Sequence, residues 1–545
     1  MVVVIAVVVG CVLRWWHLGT PSLWWDELVQ ISTADADTAW EVVERVRRGI
    51  PAGSGNAGAV PLDYLATHLW LRLVPVPADP EALEAYYRLP SFLFSCATLV
   101  ALAWYARRFF GERVAALATL LLALSLPHVL YAAEARFYSL WLLVGVLNLA
   151  AFSALVTKPS GTARWLGFTV ASLVYVLTGL FSLLVLVWQY VALLGLRLAH
   201  ADAGARRATL RGLAISIGAL LALLACYYAD TAASTQSIRG TSHLSGTLVA
   251  RQTLTFFTTH DRGFGLAVLV SLVLVPTGML LRRHPLWPVT AAVAAGIVAS
   301  PFVIAALMNW KHHFYHPRHG LLLLPGVVLL VALALAELTD LLERLPGLAR
   351  WRRVVPIAAT TALILACQVP PAARYLKTPD RFFQRTKILR DFKSLARDLR
   401  ARAADYDEPQ RHLLIVGQVG PGHLSNPLLG KYLEWYGLTD QVVLRGVPRP
   451  SVVLRKIRSY CPTSCERHGW TLQAVLALQS PFELSPPKRR LVGLPKRIGR
   501  WPGRPRDTTV LLYTPIRRER LDGSLRGWRP RPYTGFVLFT SVDAT

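Results

Sequence analysis

The sequence predicts a polytopic membrane protein: an all-α transmembrane domain over residues 1–370 and a soluble α/β domain over 371–545. Three observations predict it. Apolar stretches near the length of a membrane span recur through the first two-thirds of the chain. Of the 545 residues 53% are hydrophobic, and the mean hydropathy of +0.39 is too high for an ordinary soluble domain. After about residue 371 the chain turns polar and basic, and helical stretches alternate with short β-like runs.

The apolar segments lie at about 1–16, 88–106, 114–130, 138–156, 164–178, 180–196, 211–228, 265–281, 286–308, 319–337 and 354–370, eleven expected spans. The first has no small-residue cleavage site and runs into Arg14, so it reads as an uncleaved span rather than a signal peptide. The fifth and sixth are nearly fused: either a hairpin turning at Thr178-Gly179 or one long buried piece.

Loop charge orients the spans. Arg107, Arg108 and Arg113, then Lys158 and Arg164, then Arg197, Arg206, Arg207 and Arg211, then Arg282 and Arg283, then Arg344, Arg350, Arg352 and Arg353 all fall on one side if the fifth and sixth segments form a hairpin. That side is expected to be the cytoplasm. The outer side then receives the loop 17–87, the turn near 131–137, the loops 229–264 and 309–318, and the C-terminal part.

The first outer loop carries two amphipathic stretches, about 36–48 and 61–73, separated by Pro51-Ala-Gly-Ser-Gly-Asn-Ala-Gly. Trp40, Val43 and Val46 share one helical face, and Leu62, Leu65, Leu69 and Leu73 another, as in helices lying in the interface plane. The C-terminal part has helical stretches at about 384–404 and 424–437 and β-like runs at 412–417, 509–513 and 536–540, the pattern of a small α/β domain. Gly417, Gly420 and Gly422 lack the spacing of a dinucleotide fingerprint.

A net charge of +27 raises nucleic acid as a partner, but basic residues flanking spans and meeting anionic lipid account for it. No RNP-like, zinc-knuckle or P-loop motif supports nucleic-acid binding. Cys11, Cys96, Cys226 and Cys367 lie in apolar segments and read as small core residues; Cys461 and Cys465 are able to pair in an oxidising compartment.

Four polar clusters fall on the outer side. The first is Trp24-Trp25-Asp26-Glu27, two carboxylates beside two interfacial tryptophans. The plain structural alternative is a helix-start pair, since carboxylates favour helix N-termini. The second is Tyr131-Ala-Ala-Glu134-Ala-Arg136-Phe-Tyr138, in which a regular helix would put Glu134 and Tyr138 on one face and Arg136 away from it. The third runs from Trp310 through Lys311, His312, His313, Tyr315 and His316 to Arg318 and His319, a dense cationic, ring-rich patch. The fourth is Arg88, leading into the second span. Arginine holds phosphate well because its fork donates two hydrogen bonds at once. Together the clusters suit transfer from a lipid-linked phosphate donor: a base takes the acceptor proton while cations stabilise the departing phosphate. Adjacent carboxylates are able to hold a divalent cation and equally able to work without one.

Leu23-Trp-Trp-Asp-Glu-Leu, Pro61-Leu-Asp-Tyr64, Arg88-Leu-Pro-Ser91, Arg107-Arg-Phe-Phe-Gly111 and Tyr131-Ala-Ala-Glu-Ala-Arg-Phe-Tyr-Ser139 occur in an order that resembles the bacterial protein-mannosyltransferase-like enzymes. Their superfamily includes the protein mannosyltransferases and the lipid A aminoarabinose transferase, with the C-type glycosyltransferase fold. The likeness covers about residues 1–156 well, spans nine and ten loosely and the C-terminal part hardly at all. It implies a polyprenyl-phosphate-sugar donor and inverting transfer at the outer face. It further implies Asp26 as base, Glu27 as its companion, Glu134 and Arg136 as the second acidic/basic motif, and the histidine- and arginine-rich entry to span ten as the donor-phosphate region. Clusters and resemblance together give Asp26, Glu27 and Glu134 as expected catalytic residues, and Arg88, Arg136, Tyr138, Lys311, His312, His313, Tyr315 and Arg318 as expected donor-phosphate contacts.

Two departures bear on substrate. Where the family often has His-Pro-Pro this chain has Ala59-Val60-Pro61-Leu62-Asp63, and where it often has histidine after span five this chain has Thr178-Gly179-Leu180-Phe181. The expected partners are the lipid-phosphate sugar, a lipid, glycan or protein acceptor, and the bacterial inner membrane. The rival readings are a lipid or sugar transporter, for which no paired interrupted helices are evident, and a non-catalytic envelope-polymer assembly protein.

Overall fold

The structure, a computed structural model, describes residues 1–47, 60–158, 161–198, 203–228, 245–259, 261–311, 317–344, 355–377, 392–404, 411–417, 431–438, 442–447, 470–471, 473–477, 509–513, 528–533 and 536–541. The chain divides into two compact units. One comprises Met1–Gly19, Val29–Val76 and Ala85–Pro379; the other comprises Thr20–Leu28, Pro77–Glu84 and Asp380–Thr545. The second unit thus gathers two short pieces of the segment 17–87 with the C-terminal part.

In chain order the helices of the N-terminal two-thirds are α1 (Val2–Trp15), α2 (Trp25–Ala34), α3 (Ala39–Arg47), α4 (Pro61–Leu73), α5 (Leu83–Phe110), α6 (Glu112–Leu124), α7 (Leu126–Ala132), α8 (Tyr138–Thr157), α9 (Thr162–Thr178), α10 (Ser182–Leu198), α11 (Ala203–Tyr228), α12 (Gly246–Thr258), α13 (Arg262–Leu281), α14 (Trp287–Lys311), α15 (Leu324–Glu343) and α16 (Val355–Lys377). Among the described residues seven helices (α5, α8, α11 and α13 to α16) are long and apolar enough to cross a membrane. The expected count of eleven is met only if the bent pair α6–α7 and the shorter apolar helices α1, α9 and α10 are each counted as a span. At about 1.5 Å per residue, helices of 14 and 17 residues fall short of a hydrocarbon core about 30 Å thick.

Burial separates the centre of the first unit from its periphery. The apolar window of the segment containing α15 is 78% buried, against 22% for α11 and for α13, whose outward residues Ile215, Leu221, Val273 and Leu274 are exposed. Bases at the start of α6 and the end of α13 meet acids near the end of α15. Arg113 pairs with Asp340 and with Glu343, the latter at 2.8 Å, and Arg282 pairs with Glu337 at 2.6 Å. Two of the basic clusters read from the sequence thus share one end of the helix bundle.

The third expected span is not one helix. It breaks at Ser125, and α6 and α7 meet at 59°. Pro127 has no N–H to offer the carbonyl of Ala123, so the ladder is interrupted there. Arg14 of α1 repairs the break. Its Nη1 donates to the carbonyls of Ala123 (3.0 Å) and Gly10 (2.7 Å), its Nη2 to that of Leu122 (3.0 Å), and its Nε to the Ser95 hydroxyl (2.8 Å). Nη2 also meets His128 Nδ1. All five guanidinium donors are engaged, which is how a fully buried Arg14 is tolerated among apolar helices.

The segment 162–198 is a hairpin rather than one piece: α9 stops at Thr178 and α10 starts at Ser182. Trp141 of α8 lies over the turn. Its indole N–H donates to Ser182 Oγ at 2.6 Å, and that hydroxyl donates to the Tyr175 carbonyl at 2.8 Å. A β-carbon at Gly179 would come within 2.8 Å of the indole ring, so only glycine lets the turn pass under it.

In the first loop, α3 and α4 pack through Ala36, Val42, Val46 and Tyr64. The buried face of α3 is therefore Val42 and Val46, and Trp40 of the expected face is exposed. On α4 the buried residues are Pro61, Asp63, Tyr64, Thr67 and His68, while Leu69 and Leu73 of the leucine stripe are exposed. A leucine stripe turned outward suits a helix whose surroundings are lipid. Gly-rich residues 51–58 lie outside the described residues.

In the second unit, α17 (Phe392–Ala404) and a short helix at 431–435 are accompanied by strands. The latter helix ends in a Schellman turn: Leu438 N–H donates to the Leu433 carbonyl at 2.7 Å and Gly437 N–H to that of Glu434 at 3.0 Å, with Gly437 at φ +68°. Strand β1 (Arg411–Gly417) pairs in parallel with β2 (Val442–Val447) and with β3 (Trp470–Thr471). A second sheet has the order β4 (Gln473–Ala477), β5 (Thr509–Tyr513), β7 (Phe536–Ser541), β6 (Trp528–Tyr533), parallel at β4–β5 and antiparallel at the other two pairings. Cys461 and Cys465 lie outside the described residues.

Candidate functional site

The carboxylate motif opens α2. Trp24 precedes the first helical residue, and its backbone N–H donates to Glu27 Oε2 at 3.1 Å. This is the return half of a capping box, in which an acidic residue in the first turn satisfies the amide before the helix. Glu27 is fully buried, whereas Asp26 is half-buried. The amide of Leu23 is also satisfied, by the Tyr432 hydroxyl at 2.7 Å within the same unit.

The second cluster lies in a turn, so the helical-face argument for Glu134 and Tyr138 fails. Here α7 ends at Ala132 and α8 begins at Tyr138. The turn is tight: Arg136 N–H donates to the Glu134 carbonyl at 2.7 Å. Glu134, Arg136 and Tyr138 are all buried. The Arg136 guanidinium stands 5.6 Å from the Phe137 ring centre, and its carbonyl accepts from Ser91 Oγ at 3.3 Å. Arg88, one turn before Ser91 on α5, is buried and donates to the Leu18 carbonyl at 3.1 Å. The second and fourth clusters are therefore joined through α5.

Asp63 joins them, and the sequence reading assigned it no role. It is buried on α4, and Gln30 Nε2 donates to its Oδ2 at 2.6 Å and to Thr67 Oγ1 at 3.2 Å. Burial raises its pKa to about 7, while the charge of Arg136 acts in the opposite direction. The available signal was a lone acid opposite the leucine stripe of an amphipathic helix.

The third cluster is reached through α12, a helix absent from the sequence reading. Ser245 caps it, its Oγ accepting from Leu248 N–H at 3.1 Å. Phe256 of α12 meets Tyr131 at a ring separation of 6.0 Å, and Thr253 sits where a β-carbon on Gly320 would fall, 2.8 Å away. His319 stacks near Phe181 of the hairpin at 5.5 Å, and Arg318 is half-buried. His312, His313 and Tyr315, with the side chain of Lys311, lie outside the described residues. Within the first unit, Asp63, Arg88, Arg136, Tyr138 and the Arg318 turn are thus linked by successive contacts through Ser91, Tyr131 and α12. Among the described residues no three His, Cys, Asp or Glu side chains converge as a metal-binding group, so no site is assigned to a divalent cation.

No protein-family profile matches the chain. No curated protein matches it in sequence. Solved structures do resemble it. ArnT from Cupriavidus metallidurans in the apo state is 15% identical with a TM-score of 0.47, over 99% of this chain and 98% of that one. The same protein bound to undecaprenyl phosphate gives 15% and 0.46, over 99% and 97%. The apo oligosaccharyltransferase of Archaeoglobus fulgidus is 12% identical with a TM-score of 0.47, over 83% of this chain and 64% of that one.

Proposed function

We propose that the protein is an integral-membrane glycosyltransferase. It moves a sugar from a polyprenyl-phosphate donor to an acceptor hydroxyl or amine, with Asp26 as general base. The observation that carries this reading is the different setting of the two adjacent carboxylates. Glu27 is buried and bonded to its own helix start, which makes it the structural member of the pair. Asp26, half-buried beside it, is the member that acts on substrate.

In the proposed step the acceptor oxygen or nitrogen attacks the anomeric carbon and its proton passes to the Asp26 carboxylate. The bond from the anomeric carbon to the lipid phosphate oxygen breaks, and the electron pair leaves with the phosphate, so configuration inverts. Arginine is suited to that leaving group by charge and by its paired donors. Arg88 and Arg136 take this role, with Lys311, His312, His313, Tyr315 and Arg318 as further phosphate contacts and Tyr138 beside Arg136. Glu134 takes the part of holding Arg136 or an acceptor hydroxyl. The active face and the C-terminal α/β unit are assigned to the extracytoplasmic side of a bacterial inner membrane, opposite the basic loops.

The test is transfer of labelled sugar from synthetic polyprenyl-phosphate donors by protein in lipid nanodiscs. Asp26→Asn is expected to lower kcat by three orders of magnitude or so, as for loss of a general base, with donor binding retained. Full activity in that variant overturns Asp26 as the base.

A further inference from the structure

We infer that the C-terminal unit is a clamp that sets the position of the Asp26 motif, with Tyr432, Lys393 and Ser22 as positioning residues. The inference rests on the reading of Asp26 as the base. It gives the C-terminal unit a part in the reaction that the sequence left open.

The geometry lies within one compact unit. Tyr432 is fully buried, and its hydroxyl does two things at once. It accepts from Leu23 N–H at 2.7 Å and donates to Glu84 Oε1 at 2.8 Å. The other oxygen of Glu84 takes the ammonium of Lys393 at 2.8 Å, and Lys393 Nζ also donates to the Glu81 carbonyl at 2.9 Å. Backbone joins in: Lys393 N–H donates to Ser22 Oγ at 3.1 Å. Glu84 is fully buried and Lys393 nearly so, so neither charge could be left without the other.

An outer layer repeats the arrangement. Arg397 and Tyr436 both bind the Glu81 carboxylate, Tyr436 Oη donating to Oε1 at 2.7 Å and Arg397 Nε at 2.9 Å. The chain from 20 to 28 therefore meets the C-terminal helices at two consecutive residues, Ser22 and Leu23, directly before Trp24. Trp24 N–H is in turn held by Glu27. Three successive residues leading into α2 are thus fixed, and the backbone that carries Asp26 follows them without a break. A base must stand within about 3 Å of the proton it takes, so a drift of this segment moves the base and leaves its chemistry unchanged.

The experiment uses full-length protein in nanodiscs and two readouts, amide hydrogen exchange over residues 20–28 and the transfer assay. Tyr432→Phe keeps the ring, which packs by Phe392 and Trp435 at 6.4 and 5.2 Å, and removes the hydroxyl. Exchange over 20–28 is expected to rise about tenfold, the worth of one net hydrogen bond. With this, kcat should fall about tenfold at unchanged donor KM, and exchange across α15 should stay as in the parent. Ser22→Ala should act in the same direction with smaller effect. Unchanged exchange over 20–28 in both variants overturns the clamp. So does raised exchange with unaltered kcat, provided Asp26→Asn is inactive. If Asp26→Asn is active, the assignment of the base fails, and the exchange data alone still decide whether the clamp exists.

Discussion

Glu27 accepts the backbone N–H of Trp24 at 3.1 Å, three positions before it, and so closes the first turn of α2 upon itself. The two carboxylates of the motif should therefore respond differently to truncation. Glu27→Ala removes the acceptor and is expected to cost about 1 kcal/mol, as for loss of a helix cap. Glu27→Gln keeps an oxygen there and should retain most of that stability. Asp26→Asn should leave thermal unfolding in detergent unmoved. Equal losses for Glu27→Ala and Asp26→Asn would show that the cap does not hold the helix start.

Asp63 makes stability depend on pH. Burial raises its pKa from 3.8 to about 7, so between those values the folded protein keeps a proton that the unfolded chain has released. The stabilisation linked to that proton is complete below about pH 4 and is lost as pH rises through 7. Asp63→Asn carries no such proton. The variant should flatten the fall in Tm between pH 4 and 7, a difference on the order of a few kcal/mol. An unchanged slope would mean that the carboxyl is ionised in the folded protein.

Arg14 bridges the break between α6 and α7 through the carbonyls of Leu122 and Ala123 and through His128, while its other donors go to Gly10 and Ser95. Arg14→Met leaves the carbonyl of Ala123 without a donor in apolar surroundings and removes one of the two donors to that of Leu122, which keeps the Ser125 N–H at 3.3 Å. The expected loss is about 1–3 kcal/mol, the cost of an unsatisfied buried acceptor, read as Tm in detergent. Arg14→Lys should recover little, because one ammonium cannot reproduce the fork. A lysine variant as stable as the parent would reduce the role of Arg14 to its charge.

The hairpin turn under Trp141 is a steric fit. Gly179→Ala forces a methyl to within 2.8 Å of the indole and should cost about 1–3 kcal/mol. Combining it with Trp141→Leu should recover part of that loss, despite the indole bond to Ser182 being gone. Additive losses in the double variant would place the strain elsewhere.

Much of the helix plan was legible because lipid imposes it. A span needs about twenty apolar residues whatever its neighbours are, so the segments around α5, α8, α11 and α13 to α16 stand out from composition alone. The same rule misjudged the third span, where Pro127 breaks a uniformly apolar run and a partner 109 positions away supplies the missing donors. It passed over α12, whose cap at Ser245 is a short local signal within a long loop.

The candidate clusters stood out in the sequence for the same reason. Glu134 and Arg136 are conspicuous in an apolar setting, but their turn geometry follows from where α7 stops. Asp63 was hidden by its helix: the leucines proclaim one face, and only packing shows that the opposite face is the buried one.

By itself the sequence determined that the chain enters a membrane, and which charged residues stand out beside its apolar segments. Those are local properties, set by transfer free energy residue by residue. Only the tertiary structure decided that Gln30 meets Asp63 and that Arg14 completes a helix it does not belong to. It alone set Tyr432 against Leu23, 409 positions apart in the chain. Such pairings are chosen by the mutual satisfaction of buried polar groups across the fold. No local pattern in the sequence encodes them.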